Sequence, residues 1–279
     1  MKYLMTFLLP FFVACQPGSD TTGASEQTDD TKTTGNAREA TTVQDTSDLE
    51  KAYAMGLDTQ YLMGKFDPAQ HPDFMQVPAQ YADREGLLLR KDTYEAFLAM
   101  YKAAKADGVQ LIIRSATRNF NYQKGIWERK WTGQRKLSSG ENAAEAFPDP
   151  EARALEILKY SSMPGTSRHH WGTDIDLNAF NNSYFEQGQG KKIYDWLSAH
   201  AADFGFCQPY SPKGPERPNG YNEEKWHWSY LPVAQPLTTL AQTELKDSMI
   251  SGFEGAEIAV GIKVVDNYVL GISDLCITK

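Results

Sequence analysis

Apolar side chains recur at Tyr94, Phe97, Leu98 and Tyr101, a spacing that predicts a helix. Asp92, with Glu95 three residues later, is a capping-box signal for its start, and Asp107-Gly108 ends it. Residues 109–113 then read as a strand, leading into Arg114-Ser115-Ala116-Thr117-Arg118. A second helix is expected from Asn121 to about Trp131. A third is announced by Asp149 as cap and Pro150 at the first helical position, and it continues through Leu155 and Leu158. Residues 173–177 look extended. Ile193, Trp196, Leu197 and His200 mark a further helix closed by Gly205, and a Pro- and Gly-rich loop at 209–220 leads to a strand at Trp226-His227-Trp228.

The flanks are less regular. Residues 55–90 contain the breakers Asp67-Pro68, His71-Pro72 and Val77-Pro78, and are expected to wrap the core irregularly. Near the C-terminus, residues 258–265 and 268–272 fit a hairpin turned at Asp266-Asn267, with a short buried helix as the alternative. Helices and strands mix without regular alternation, which argues for an α+β fold with a small, mainly antiparallel sheet and flanking helices.

The N-terminus adds an address. Met1-Lys2, an apolar run over 3–13 and Ala14-Cys15 fit a secretory signal, too short for a spanning helix. Phe12-Val13-Ala14-Cys15 resembles a bacterial lipobox, with Phe12 where Leu is more usual; Cys15 would then be lipidated and become the mature N-terminus, against the alternative of an ordinary cleaved signal. Residues 16–48 are Thr, Ser, Gly, Asp, Glu and Gln with almost no large apolar side chain, so burial cannot offset their ordering entropy. A flexible tether of that length reaches on the order of 30 Å. The expected organisation is a signal peptide over 1–14, a tether over 15–48 and one domain over 49–279, with its core at about 90–231 and an extension at 232–279.

Composition narrows the partners. The 279 residues are 41% hydrophobic and 12% aromatic, ordinary for a globular protein, and the net charge of −8 is unlike the basic footprint that nucleic acid requires. Of three cysteines, Cys207 and Cys276 remain once Cys15 is assigned. An oxidising compartment would favour pairing them, two buried free thiols being the alternative. The oligomeric state is not legible.

Only five histidines occur, and three of them lie in Ser167-Arg168-His169-His170-Trp171-Gly172-Thr173-Asp174-Ile175-Asp176 and Glu224-Lys225-Trp226-His227. A catalytic zinc needs three ligands from His and Asp or Glu, an open position and a nearby carboxylate base. His169, Asp176, His227 and Glu224 could supply all four parts. Asp174, on the strand face of Asp176, and His170 compete for the ligand roles, and Glu223 is the fallback base. Three residues is an odd separation along a strand, so Glu224 should sit on the loop entering the strand of His227, or a bulge must re-aim it. Trp226 and Trp228 read as packing more than substrate stacking, and His200 and His71 as structural.

The pattern Ser-x-His-(x)2-Gly-(x)3-Asp followed by Glu-x-Trp-His resembles the zinc D-alanyl-D-alanine carboxypeptidases of the VanY type, in a wider superfamily that includes lysostaphin-like endopeptidases and the hedgehog signalling domain. Upstream, Ser115-Ala116-Thr117-Arg118-Asn119 with Gln123 is similar to a further family element. The resemblance covers roughly residues 111–230. It implies a hedgehog/D,D-peptidase-like zinc fold with one zinc ion on His169, Asp176 and His227, and Glu224 as general base. It further implies Arg118 at the oxyanion or substrate, and Gln123 and Ser167 at the substrate's terminal carboxylate. The departures are Thr117 for an aromatic, Asn119 for Ser and Asp174 for Ala, which touch the wall of the site and no ligand.

The expectation is therefore an exported, lipid-anchored zinc peptidase facing the bacterial cell wall, trimming a C-terminal D-amino acid from peptidoglycan stem peptides. An L,D-carboxypeptidase or an endopeptidase would use the same zinc machinery. A non-catalytic zinc-dependent wall-binding module is the alternative of another class, and the presence of both Glu224 and Arg118 weighs against it.

Overall fold

Residues 46–277 are described by the computed structural model. The readings made on residues 1–45, namely the signal, Cys15 and most of the tether, lie outside the described residues. A first helix, α1, runs over 46–54 and packs Leu49 and Ala52 on the core, so 46–48, assigned to the tether by composition, belong to the folded part. The stretch expected to be irregular contains a short helix, α2 (Thr59–Leu62), and an antiparallel pair, β1 (Phe74–Gln76) with β2 (Leu88–Arg90).

Helix α3 (Lys91–Ala106) buries Thr93, Phe97, Met100 and Ala104, the three-to-four spacing of one helix face. Its expected capping box is absent. Asp92 lies inside the first turn, where its carboxylate accepts from Arg90 Nε and the Thr93 backbone, and the cap position is Arg90. Strand β3 (Ile113–Ser115) starts four residues later than the apolar run suggests. Just past the end of its neighbour, Asn178, at φ 63°, donates its backbone N–H to Ile112 O, and its side-chain amide accepts from Ile112 N and donates to Gln110 O. Helices α4 (Phe120–Trp131), α5 (Ala143–Ala146) and α6 (Pro150–Ile157) follow; Asn119 caps α4, and Asp149 caps α6 as its sequence suggests.

Four strands form the central sheet in the order β3-β4-β6-β5, all antiparallel, with β4 (Asp174–Leu177) and β6 (His227–Tyr230) in the middle and β5 (Phe206–Cys207) at the edge. Helix α7 (Gly188–His200) lies between β4 and β5 in the chain. Ile175, Leu177 and Trp228 join Phe97, Met100, Ile193 and Leu197 in one apolar cluster that α3 and α7 complete. Each such side chain fully buried contributes about 1.5–3 kcal/mol. The opposite face of the same two strands carries Asp174, Asp176, His227 and Ser229, as a two-residue period requires.

A second cluster gathers α4, α6, α8 (Leu231–Glu244), α9 (Ile258–Gly261) and the tail. The hairpin expected in the tail does not form: 265–269 is a helical turn, and the buried Ile262, Val265, Val269 and Ile272 recur at three and four residues, the period of a helix laid on a core. Cys207 and Cys276 form a disulfide that ties the edge strand to this tail, beside a bond from Ser273 N to Pro209 O of 2.8 Å. No helix among the described residues is long and apolar enough to cross a membrane. The bridge closes a sequence separation of 69 residues. A Cys207→Ser/Cys276→Ser protein should lose about 2–4 kcal/mol of unfolding free energy. Non-reducing denaturant titration reads this, and an unchanged midpoint would show that packing alone holds the tail.

Candidate metal centre and its cleft

The register of the two central strands sets Asp176 directly across from His227, and Asp174 across from Ser229. His169 arrives from a 3-10 turn, Arg168–Trp171, that ends at Gly172 with φ 74°. A Cβ at Gly172 would sit 2.5 Å from the Phe74 ring, so only glycine lets that turn run straight into β4. Glu224 lies on the loop before β6, where a turn bond from His227 N to Glu224 O, 3.2 Å, folds it back. This brings the carboxylate to the side of His227 despite their odd spacing. Glu223 turns away to Asn182.

Each imidazole has one nitrogen committed. His169 Nδ1 donates to Ala116 O at 2.8 Å, and His227 Nε2 donates to Asp174 Oδ2 at 2.7 Å. The remaining nitrogens both face Asp176, His169 Nε2 at 3.3 Å from Oδ2 and His227 Nδ1 at 3.2 Å from Oδ1, and these are the two positions through which the rings could bind a metal. One ligand atom from each of the three residues lies within 4.8 Å of the others. His169 Nε2 and Asp176 Oδ1 are buried without a hydrogen-bond partner. Two imidazole nitrogens and a carboxylate that converge, one nitrogen and one oxygen of them unsatisfied, fit a divalent cation, and this donor set is that of a zinc centre with a position left open.

Burial alone would push the Asp176 carboxyl up, but the imidazoles of His169 and His227 hold it well below the usual range. Burial would likewise depress His227, yet the carboxylates of Asp174, Asp176 and Glu224 raise it well above the ordinary imidazole value. Glu224 Oε2 lies 3.4 Å from His227 Nδ1, and burial pushes its carboxyl up against the pull of that imidazole.

Asp174 is a support, not a ligand. Its Oδ1 accepts from Thr173 and Ser229 hydroxyls at 2.6 and 2.8 Å, and its Oδ2 from His227 and from Arg168 Nε at 3.2 Å. Arg168, fully buried, also reaches Thr238 and Ser229 and lies over the Trp171 ring at 4.4 Å. Sequence reasoning passed over Arg168, and the available signal was an arginine set between the motif's Ser and His. The C-terminal extension supplies Thr238 of α8 to this network. His170, the other rival ligand, has both nitrogens engaged, by Arg118 O and Gly165 N, and burial takes it down to about 3.

The metal centre opens on a cleft of about 660 Å³. Arg118 lines it, 3.6 Å from Asp176 Oδ2 and 3.0 Å from Ser115 Oγ. Gln123 lines it too; its Nε2 donates to Ser162 O at 2.8 Å, and its Oε1, an acceptor, has no partner. Ser167 is buried with its Oγ unpaired and is not among the residues lining the cleft. Trp226 and Trp228 both pack in the core, and Trp226 also lines the cleft beside Tyr160. His200 lies against Trp196 and His71 against Tyr61, Phe66 and Phe74, both far from this chemistry in contacts.

Residues 86–233 match the family VanY, described as D-alanyl-D-alanine carboxypeptidase. The chain belongs to this family. It is 29% identical over 164 residues to a D-alanyl-D-alanine carboxypeptidase of Enterococcus faecalis, covering 56% of this chain and 55% of that protein. It is 26% identical over 185 residues to the putative carboxypeptidase YodJ of Bacillus subtilis, covering 63% and 58%. The chain thus spans about half the length of these curated relatives. Among solved structures it is similar to VanYB in complex with D-alanine-D-alanine, at 26% identity, 63% of this chain, 87% of that chain and a TM-score of 0.44. A mutant of the vancomycin-resistance D,D-pentapeptidase VanY in complex with Zn(II) gives 25% identity, 60% and 89% coverage and a TM-score of 0.43.

The VanY span holds the three candidate ligands, Glu224, Arg118 and the Arg168–Asp174 pair, while Thr238 lies beyond it. Hydrogen bonds to the distal nitrogen of a ligating imidazole fix its tautomer and raise its basicity, and their loss typically weakens metal binding about 10–100-fold. Asp174→Asn should therefore bind zinc more weakly by that factor, read by competition with a chromophoric chelator, with far-UV dichroism unchanged. Undiminished affinity would mean that Asp174 does not act on His227.

Proposed function

We propose that this protein is a zinc-dependent carboxypeptidase that removes a C-terminal D-amino acid from peptidoglycan stem peptides. The observation that carries the reading is a buried carboxylate, Glu224, standing 3.4 Å from Nδ1 of His227 within a two-histidine, one-aspartate set that opens on a cleft. Membership of the VanY family supports the same conclusion. His169, Asp176 and His227 would hold zinc, which supplies a Lewis-acid centre that acidifies water and polarises a carbonyl.

The chain's own groups do the rest. Glu224, dehydrated and raised, is placed to accept a proton from water in the cleft and to deliver it to the departing amine. Arg118 presents the planar, forked donors of a guanidinium, suited to a carboxylate or to the oxyanion that forms as the peptide carbon becomes tetrahedral. Asp174 keeps His227 in the tautomer that leaves Nδ1 free. Gln123 offers an acceptor for a substrate N–H, and Ser167 holds a buried, unpaired hydroxyl outside the lining of the cleft.

We place the protein outside the cytoplasm, held by a lipid on Cys15 through the polar segment that follows; the support for this is the N-terminal sequence. A wall substrate would then be within reach. The discriminating experiment is mass spectrometry of defined tripeptide, tetrapeptide and pentapeptide stems incubated with the protein, with and without a chelator. Release of terminal D-alanine from the pentapeptide is expected; release from the tetrapeptide alone would make it an L,D-enzyme. Cleavage within the peptide would make it an endopeptidase, and no cleavage would contradict the reading. Glu224→Ala should retain zinc yet lose about 10²–10⁴-fold in kcat.

A further inference from the structure

The cleft holds more cationic charge than its metal centre uses. Lys130, on α4, is only 7% exposed, and its Nζ donates to Ser161 Oγ at 2.6 Å. Among the described residues no carboxylate comes within 4.0 Å of this ammonium, nor of Arg84 or Arg135, which line the same cleft. The acids that line it are taken: Glu156 pairs with Lys159 at 2.6 Å, and Asp176 and Glu224 stand at the metal centre. An ammonium has three donors, and a single neutral hydroxyl leaves two of them without a partner in the protein. Placing such a charge out of water is costly unless an anion joins it.

Its position says which anion. Gln123 and Lys130 are seven residues apart on α4, hence on one face and about 10 Å apart along the axis. Both reach the same segment, Gln123 to Ser162 O and Lys130 to Ser161 Oγ, so α4 and residues 161–162 make one wall of the cleft. Lys130 therefore stands two helical turns beyond Gln123, on a wall that a peptide of a few extended residues can follow. Aromatic side chains, Tyr122, Tyr160 and Trp226, line the cleft beside it. A peptide reaching from the metal centre to Lys130 would meet a buried cation with an acidic group of its own.

We propose that Lys130, with Ser161 and Arg135 beside it, forms a subsite for a substrate carboxylate separate from the one that Arg118 faces. The inference rests on the peptidase reading above. It assigns the protein a preference for stem peptides whose acidic residue, upstream of the cleaved bond, is a free acid over those in which it is amidated. Burial, with repulsion from Arg135 and Arg118 partly offset by attraction to Glu224, brings the Lys130 ammonium down to about 8, so it remains largely cationic at neutral pH. Lys130 is a specificity residue in this scheme and has no part in moving the reacting proton.

The test compares Lys130→Met, which keeps an apolar stem of similar length, with the parent on pentapeptide stems differing only in whether the internal carboxylate is free or amidated. Loss of a charge-assisted contact should raise KM roughly tenfold for the free acid, leave kcat within about threefold and leave the amidated peptide unchanged. Lys130→Arg should recover part of the loss. Calorimetry of the same peptides, and of one with an amidated C-terminus, on both proteins reads binding without turnover. A Lys130-dependent difference that follows the internal carboxylate supports the subsite. One that follows only the terminal carboxylate overturns its separateness from the Arg118 end. Equal loss on every peptide, or none, overturns the inference. Should the parent cleave no peptide, the peptidase reading falls, and the calorimetric difference between acid and amide still decides the subsite.

Discussion

In a pleated sheet a slip of one residue exchanges the two faces of a strand, and β4 and β6 have faces that cannot be exchanged. On β4, Asp174 and Asp176 alternate with Ile175 and Leu177; on β6, His227 and Ser229 alternate with Trp228. The pairing of Asp176 with His227 is therefore enforced from behind, by the burial of Ile175, Leu177 and Trp228 against α3 and α7. Shifted by one, Trp228 would face the cleft and His227 would enter an apolar cluster with no partner. Each misplaced side chain would forfeit about 1.5–3 kcal/mol of burial, so the core holds the chemical register.

That register creates a dry layer of polar groups, and the layer sorts its members by how well they are satisfied. Asp174 has both oxygens occupied, by two hydroxyls on one side and by His227 and Arg168 on the other. Asp176, two residues along and on the same face, has an oxygen with no partner, as does the nearest nitrogen of His169. A buried carboxylate that is fully paired needs nothing more, and one left short calls for a further partner such as a water or a cation. The satisfied residue serves the unsatisfied ones: Arg168 holds Asp174, Asp174 holds the distal nitrogen of His227, and the near nitrogen faces the metal centre. Through Thr238 this chain of contacts reaches α8, outside the span shared with the family.

Much of this was legible in the sequence because the informative signals are local. Period and caps place α4, α6 and α7 within a residue or a few, and the odd spacing of Glu224 and His227 is resolved by the loop position that parity demanded. The misses have tertiary causes. Asp92 has the sequence signature of a cap, but Arg90 takes its carboxylate. The apolar run at 109–113 has the pattern of a strand, but Asn178 takes the hydrogen bonds of Gln110 and Ile112. The tail has the pattern of a hairpin, but its buried positions follow a helical period on a core built by distant segments. Asp174 and Asp176 are equivalent on one strand face until the partner strand is known, which is why the choice between ligand and support waited for the register. Ser167 and Gln123, placed by resemblance at a substrate carboxylate, come out respectively buried outside the lining of the cleft and offering an acceptor.

Asp174 takes the distal nitrogen of His227, so a metal held between His169 Nε2 and Asp176 would meet His227 through Nδ1. Anomalous diffraction at the zinc edge from crystals of the zinc-loaded protein tests it most directly. A single peak is expected in the cleft, bonded to His169 Nε2, an Asp176 oxygen and His227 Nδ1, with Asp174 still on Nε2. A peak on Asp174 or His170, or bonding through His227 Nε2, would contradict it.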